Sequence, residues 1–137
     1  MKNSMDGVFQ SILRNIFVNQ PLDQMNCEPC QLGGKAMAGD EAAQRLGDLP
    51  DWRITQDHGV DTLVREFRLP GWGGAMAFAN RVAALADEQD HHPAMFVEWG
   101  RVTLYWWTHK IGGLHQNDFI MAAKSDALAR EMIPAGD

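Results

Sequence analysis

The chain has 137 residues, of which 45% are hydrophobic and 22% are charged, and its formal net charge is −6. This composition is typical of one globular domain with a substantial core. The acidic balance argues against nucleic acid as a partner, because phosphate groups require a basic surface. The sequence shows neither an apolar run of roughly 18 residues, which a membrane-spanning helix needs, nor a secretory signal pattern. We therefore expect a cytoplasmic protein that acts away from membranes.

The sequence predicts two parts, an N-terminal extension over residues 1–24 and a domain over residues 25–137. Apolar side chains recur in the extension at helical spacing, which indicates a short amphipathic helix that ends near Pro21. These side chains are Val8, Phe9, Ile12, Leu13, Ile16 and Phe17. The polar face is not basic, so a docking or partly disordered extension is favoured over membrane binding. Met25 as the natural start is an alternative.

Cys27 and Cys30 form a C-x-x-C pair. Such a pair could be half of a zinc site, but a second set of suitably spaced ligands is missing. It could also be a thioredoxin-like redox pair, which needs a strand before it and a helix after it, whereas Gly33 and Gly34 follow here. A flexible lead-in with two reduced thiols is the favoured interpretation.

The pattern after this lead-in predicts a helix and two strands. The helix begins near Asp40 and ends before Pro50. Strands are predicted over residues 51–56 and 62–69, where apolar and polar residues alternate. The polar turn between the strands carries His58, which is interpreted as an exposed loop residue.

The second half of the chain predicts a long helix, two more strands and a final helix. The long helix covers residues 75–90, and its alanine-rich apolar stripe would allow close approach to a sheet. The strands cover residues 95–99 and 102–109, and the final helix covers residues 116–132. The order α-β-β-α-β-β-α predicts an α+β fold with a four-stranded antiparallel sheet and helices packed on one face.

Residues 87–118 hold four of the five histidines in the chain. These four are His91, His92, His109 and His115. Imidazole is the side chain that gives and takes protons near neutral pH. The concentration of histidines in one stretch therefore indicates a site for proton transfer.

The spacing of this stretch predicts which side chains meet. His91 and His92 are successive residues of an extended segment before Pro93, so their rings should point in opposite directions. Counting back from the turn of the hairpin places His109 roughly opposite His92 or Pro93. Asp118, at the start of the last helix, would lie near the same rim.

Two other kinds of chemistry compete with proton transfer. Three histidines and a carboxylate could bind zinc, although adjacent histidines on an extended chain are a poor chelating pair because their rings diverge. Covalent catalysis is disfavoured because residues 87–118 contain neither serine nor cysteine. Zinc remains open as an alternative at this point.

The spacing of seven residues resembles the signature of the pterin-4a-carbinolamine dehydratases. The seven are Asp87, His91, His92, Pro93, Trp99, His109 and Asp118. The segments LVREF, WTHKIGGLHQNDF and AAKSD are also similar to bacterial members, and the resemblance runs from about Cys27 to Ser125. The chain differs from many relatives at Ala94 and Met95. These two residues would lie at the rim of the predicted pocket.

The resemblance implies the α+β fold predicted above, assembled as homodimers or homotetramers. It implies dehydration of 4a-hydroxytetrahydropterin to quinonoid dihydropterin, which regenerates the tetrahydrobiopterin-type cofactor of aromatic amino-acid hydroxylases such as phenylalanine hydroxylase. It implies no metal and no bound cofactor, because the substrate is itself a form of the cofactor that the reaction regenerates.

The resemblance also implies a role for each residue of the signature. His91 and His109 would be the catalytic acid/base pair, and His92 would bind and orient the pterin. Asp87 and Asp118 would hold the histidines or the amide edge of the pterin, and Trp99 would form a wall of the pocket.

A non-catalytic role is the alternative function. Animal relatives bind a homeodomain transcription factor and stabilise its dimer, and other relatives with degraded signatures act in the assembly of carbon-fixation enzymes. The intact set of three histidines favours an enzyme over a protein-binding module.

Overall fold

The computed structural model describes residues 20–29 and 34–133. The amphipathic segment expected before Gln20 and the second cysteine, Cys30, lie outside these residues. Within the described ranges, none of the helices is both long enough and apolar enough to cross a membrane.

The described residues form three α-helices and four strands in the expected order α-β-β-α-β-β-α, which confirms the predicted fold class. The elements are α1 (Gly39–Arg45), β1 (Arg53–Thr55), β2 (Thr62–Arg68), α2 (Gly71–Gln89), β3 (Ala94–Glu98), β4 (Arg101–Trp106) and α3 (Gln116–Met132). All neighbouring strands are antiparallel, and the sheet order is β1-β2-β4-β3.

The core forms where α2 and α3 pack on the alternating apolar side chains of β2 and β4. Leu63 pairs with Trp106 and Phe67 pairs with Val102, so both pairs point to the same face of the sheet. All four are buried, as is Phe78 of α2. Burial of each such aliphatic or aromatic side chain contributes roughly 1.5–3 kcal/mol relative to leaving it exposed.

Helix α2 begins at Gly71, four positions before the predicted start at residue 75. Gly71, Gly73 and Gly74 lie in the first turn of the helix. A Cβ on Gly74 would lie 2.8 Å from the ring of Pro70, so a glycine is required for this close approach. Pro70 precedes the helix in an extended conformation, and Gly71 begins it with a φ of 66°, which glycine adopts without steric cost.

Asp126 of α3 ties the last helix to the sheet. Its Oδ1 accepts hydrogen bonds from Trp52 Nε1 (2.9 Å) and from the guanidinium of Arg65 (2.5 Å). Burial raises the pKa of the Asp126 carboxyl above its usual range, and the hydrogen bonds from Trp52 and Arg65 offset only part of this rise.

Asp126→Asn is expected to gain stability relative to the wild type as the pH rises from about 4 to about 7. A carboxyl whose pKa is higher in the folded protein stabilises the fold while protonated. That contribution is complete below the pKa of the unfolded chain and is lost as the pH rises through the pKa of the folded state. Asparagine does not titrate, so the variant lacks this loss. Urea unfolding across this pH range measures the difference, and a pH-independent difference would contradict the prediction.

Candidate active site

Three of the predicted histidines line one cavity of about 430 Å³, namely His91, His92 and His109. The cavity lies where the end of α2 meets the segment that follows β4, and Thr108 and Lys110 contribute to its wall. A larger cavity of about 560 Å³ lies between residues 20–25, α1 and α3, and its described lining includes no histidine. The histidines predicted to transfer protons therefore line the smaller cavity.

His91 is held on three sides. It follows Asp90, which ends α2 in the left-handed conformation with a φ of 51°, and its N–H donates to the carbonyl of Ala86 (3.0 Å). Its Nε2 lies 2.6 Å from Asp118 Oδ1, and its ring stacks on Trp106 with an interplanar angle of 9°. The side chain is 9% exposed, so the imidazole has one fixed orientation at the cavity wall.

Asp118 is the centre of the network behind His91. Its side chain is fully buried, and its Oδ2 accepts hydrogen bonds from Thr108 Oγ1 (2.8 Å) and from the backbone N–H of His115 (2.9 Å). An ionised carboxylate only accepts, so Nε2 of His91 carries the proton in this pair and Nδ1 is the nitrogen available for proton exchange. Of the two roles predicted for Asp118, the fully buried position matches holding a histidine, because its side chain contacts His91.

His92 lies at the exposed rim of the cavity. Its Nε2 is 2.9 Å from Asp87 Oδ1, and both side chains are largely exposed, at 56% and 83%. His91 and His92 thus bind different carboxylates, as expected for neighbouring residues of an extended segment. Asp87 holds a histidine, which is one of the two roles predicted for it.

His109 reaches the cavity by a different route from the predicted one. Strand β4 ends at Trp106, and the pairing of Ala94 with Tyr105 would place residue 107 opposite His92. His109 instead begins a 3₁₀ turn that ends at Ile111, after the chain has left the sheet. The predicted position of His109, roughly opposite His92 or Pro93, therefore differs from the observed register by two to three residues, and His109 lines the same cavity from a turn.

A row of aromatic rings connects His109 to the turn between β1 and β2. The ring of His109 lies 4.4 Å from that of Trp107, centroid to centroid. His58 stacks on Trp107 at 4.6 Å and meets Tyr105 edge-on at 4.7 Å. His58 lies exposed in this turn, as predicted, and its ring also contacts Trp107, which supports His109.

Trp99, predicted as a wall of the pocket, lies outside the described lining of the cavity. It lies in the turn between β3 and β4, is 76% exposed, and has its Nε1 near Gly71. The reason is the direction of β3, which runs away from His92 at roughly 3.3 Å per residue. Trp99 therefore lies at the opposite end of the strand from the histidines.

Thr108 and Trp106 support His91, and the sequence interpretation assigned neither of them to the site. The alternation of β4 indicates that Trp106 is buried, but its stacking on His91 depends on where α2 ends. Thr108 is fixed by backbone hydrogen bonding to Gly113 (2.8 Å). Within the described residues, no group of three or more His, Cys, Asp or Glu side chains could hold a metal ion.

Comparison with known proteins identifies the family of the chain. The family model described as pterin 4 alpha carbinolamine dehydratase matches residues 35–128. Relatives from Chlorobium limicola and Saccharophagus degradans, which carry the provisional name pterin-4-alpha-carbinolamine dehydratase, are 49% and 50% identical over 78% of this chain and 95% of their own lengths. A crystal structure described as a transcriptional coactivator/pterin dehydratase from Brucella melitensis covers 69% of this chain and 99% of its own, with 28% identity and a TM-score of 0.64. The chain therefore belongs to the pterin-4a-carbinolamine dehydratase family.

Proposed function

We propose that the chain dehydrates 4a-hydroxytetrahydropterin to quinonoid dihydropterin by histidine acid/base catalysis. The observation that carries the proposal is that His91, His92 and His109 line one cavity while a buried carboxylate orients His91. Membership of the dehydratase family supports the same reaction.

The reaction breaks the bond between C4a and its hydroxyl oxygen, removes the proton from N5 and forms the C4a=N5 double bond. An acid must protonate the departing hydroxyl as water, and a base must accept the N5 proton. Nδ1 of His91 and the imidazole of His109, which line the same cavity, would supply these two groups. Each positioned acid or base contributes roughly 10²–10⁴-fold to the rate.

His92 would orient the pterin at the rim, with Asp87 holding its ring. The product would be reduced again to serve aromatic amino-acid hydroxylases such as phenylalanine hydroxylase, so the chain would recycle a cofactor in the cytoplasm. Neither a metal nor a bound cofactor is required for this proton chemistry.

Self-association as a homodimer or homotetramer is also proposed. Strand β3 is at the edge of the sheet and carries Met95 and Phe96, which are 37% and 60% exposed. Trp99, in the turn after β3, and Trp72, at the start of α2, are 76% and 53% exposed. Apolar side chains on an open sheet edge favour contact with another chain.

The same exposed apolar residues favour a protein-binding role as the second candidate function. The Brucella melitensis structure is described as a transcriptional coactivator as well as a dehydratase. The two functions separate in a variant that lacks His91, His92 and His109. A binding role would survive in that variant, whereas catalysis would not.

A dehydratase assay on the purified chain tests the proposal. Phenylalanine hydroxylase generates the 4a-hydroxypterin in situ, and the decay of its ultraviolet absorbance is followed with and without the chain. We expect a saturable acceleration over spontaneous dehydration that persists after dialysis against a chelator. Decay at the spontaneous rate at every protein concentration would refute the proposed function.

A further inference from the structure

We infer that residues 26–29, here called the strap, form one wall of the pterin cavity. Gln89 and Asn117 act as positioning residues that hold the strap in place. The inference deepens the proposed function and rests on it. The strap precedes the region matched by the family model, which begins at residue 35. One wall of the cavity therefore comes from residues before the range that the family model matches.

Gln89, the last residue of α2, binds the strap through both ends of its amide. Its Oε1 accepts the backbone N–H of Cys27 at 2.8 Å, and its Nε2 donates to Asn26 Oδ1 at 3.1 Å. The residue lies two positions before His91. The helix end that orients the first catalytic histidine thus also binds the strap.

Asn117, in the first turn of α3, binds the next residue of the strap. Its Oδ1 accepts the backbone N–H of Glu28 at 2.9 Å, and its Nδ2 donates to the carbonyl of Glu28 at 2.6 Å. Asn117 is 2% exposed, whereas Glu28 is exposed, so these hydrogen bonds are part-buried. A buried amide such as that of Asn117 specifies one backbone position because an unmade bond would leave its polar atoms unsatisfied.

The strap faces the catalytic residues. Cys27, Glu28 and Pro29 line the same cavity as His91 and His109. The four hydrogen bonds bring a segment about 60 to 90 positions away in the chain onto the two helix ends that flank the site. A wall fixed in this way shapes the space for the pterin ring but supplies no group to the proton transfer described above.

The strap should therefore affect substrate binding more than the chemical step. Gln89→Ala removes two hydrogen bonds to the strap without touching a histidine. A hydrogen bond of ordinary strength corresponds to roughly a fivefold change in an equilibrium constant. We expect KM for the 4a-hydroxypterin to rise by about five- to twentyfold, with kcat changed by less than about twofold.

The experiment compares the full-length wild type with Gln89→Ala, Gln89→Glu and Asn80→Ala. Gln89→Glu keeps the acceptor for the Cys27 N–H and should restore part of the KM. Asn80→Ala removes an exposed amide from the same helix and should behave as wild type. Hydrogen exchange of the peptide that covers residues 25–29 is measured in parallel, with and without the stable pterin 7,8-dihydrobiopterin. We expect exchange to be faster in Gln89→Ala and slower in wild type when the pterin is bound.

The measurements of KM, kcat and hydrogen exchange can each overturn the inference. Faster exchange in Gln89→Ala with an unchanged KM would show that the strap is not part of the substrate site. Unchanged exchange in that variant, or equal falls in kcat for Gln89→Ala and Asn80→Ala, would also overturn the inference. A wild-type chain without dehydratase activity would instead refute the proposed function, and with it the role of the strap in substrate binding.

Discussion

Alanine in place of His91 or His109 is expected to lower kcat for pterin dehydration by about 10²–10⁴-fold. Each substitution removes one proton donor or acceptor from the cavity, and water in its place has neither the matched pKa nor the fixed position. His109 is exposed in a 3₁₀ turn, so its loss should leave the fold intact. Steady-state kinetics with enzymatically generated 4a-hydroxypterin measure the effect.

His115 provides a matched histidine control within the same stretch. Its Nδ1 accepts the N–H of Asn117 at the start of α3, and its ring is not in the described lining of the cavity. His115→Asn keeps a side chain suited to this cap, so its activity should stay within about twofold of wild type. Full activity in both His91→Ala and His109→Ala would remove the acid/base assignment.

Asp118→Ala is expected to lower the free energy of unfolding by about 3–5 kcal/mol and kcat by roughly 10²-fold or more. The fully buried carboxylate accepts three hydrogen bonds, from His91, Thr108 and the backbone of His115. Its removal leaves these donors without an acceptor inside the protein, and an unsatisfied buried donor destabilises the folded state. His91 also loses the partner that fixes which of its nitrogens carries the proton. Urea unfolding and kinetics measure the two effects.

Asp87→Ala is the matched control, because Asp87 also binds a histidine but lies on the surface. Its carboxylate is 83% exposed and 2.9 Å from His92 Nε2. Exposed ion pairs contribute little, so we expect a change in unfolding free energy below about 1 kcal/mol. Equal destabilisation by Asp87→Ala and Asp118→Ala would contradict the role of burial in this prediction.

The sequence by itself determined the elements and the fold class. The final helix covers residues 116–132 as predicted, and the order α-β-β-α-β-β-α is confirmed. These features follow from the periodicity of apolar side chains, which depends on residues close together in the chain. The histidines of residues 87–118 also indicated proton transfer, because the imidazole side chain can give and take protons in any protein.

Only the tertiary structure decided which side chains form the cavity. Trp99 was expected at the site but lies at the far end of β3, while Asp118 is enclosed behind His91. His109 reaches the cavity through a turn whose path depends on Thr108, which binds a carboxylate ten positions later.

No pattern in the sequence predicts that the strap, residues 26–29, contacts the two helix ends beside the cavity. Its contacts with Gln89 and Asn117 join parts of the chain separated by 62 and 89 positions. Local periodicity reports the direction in which a side chain points within its own element. It does not report which distant backbone will meet that side chain, because this depends on how the helices pack on the sheet.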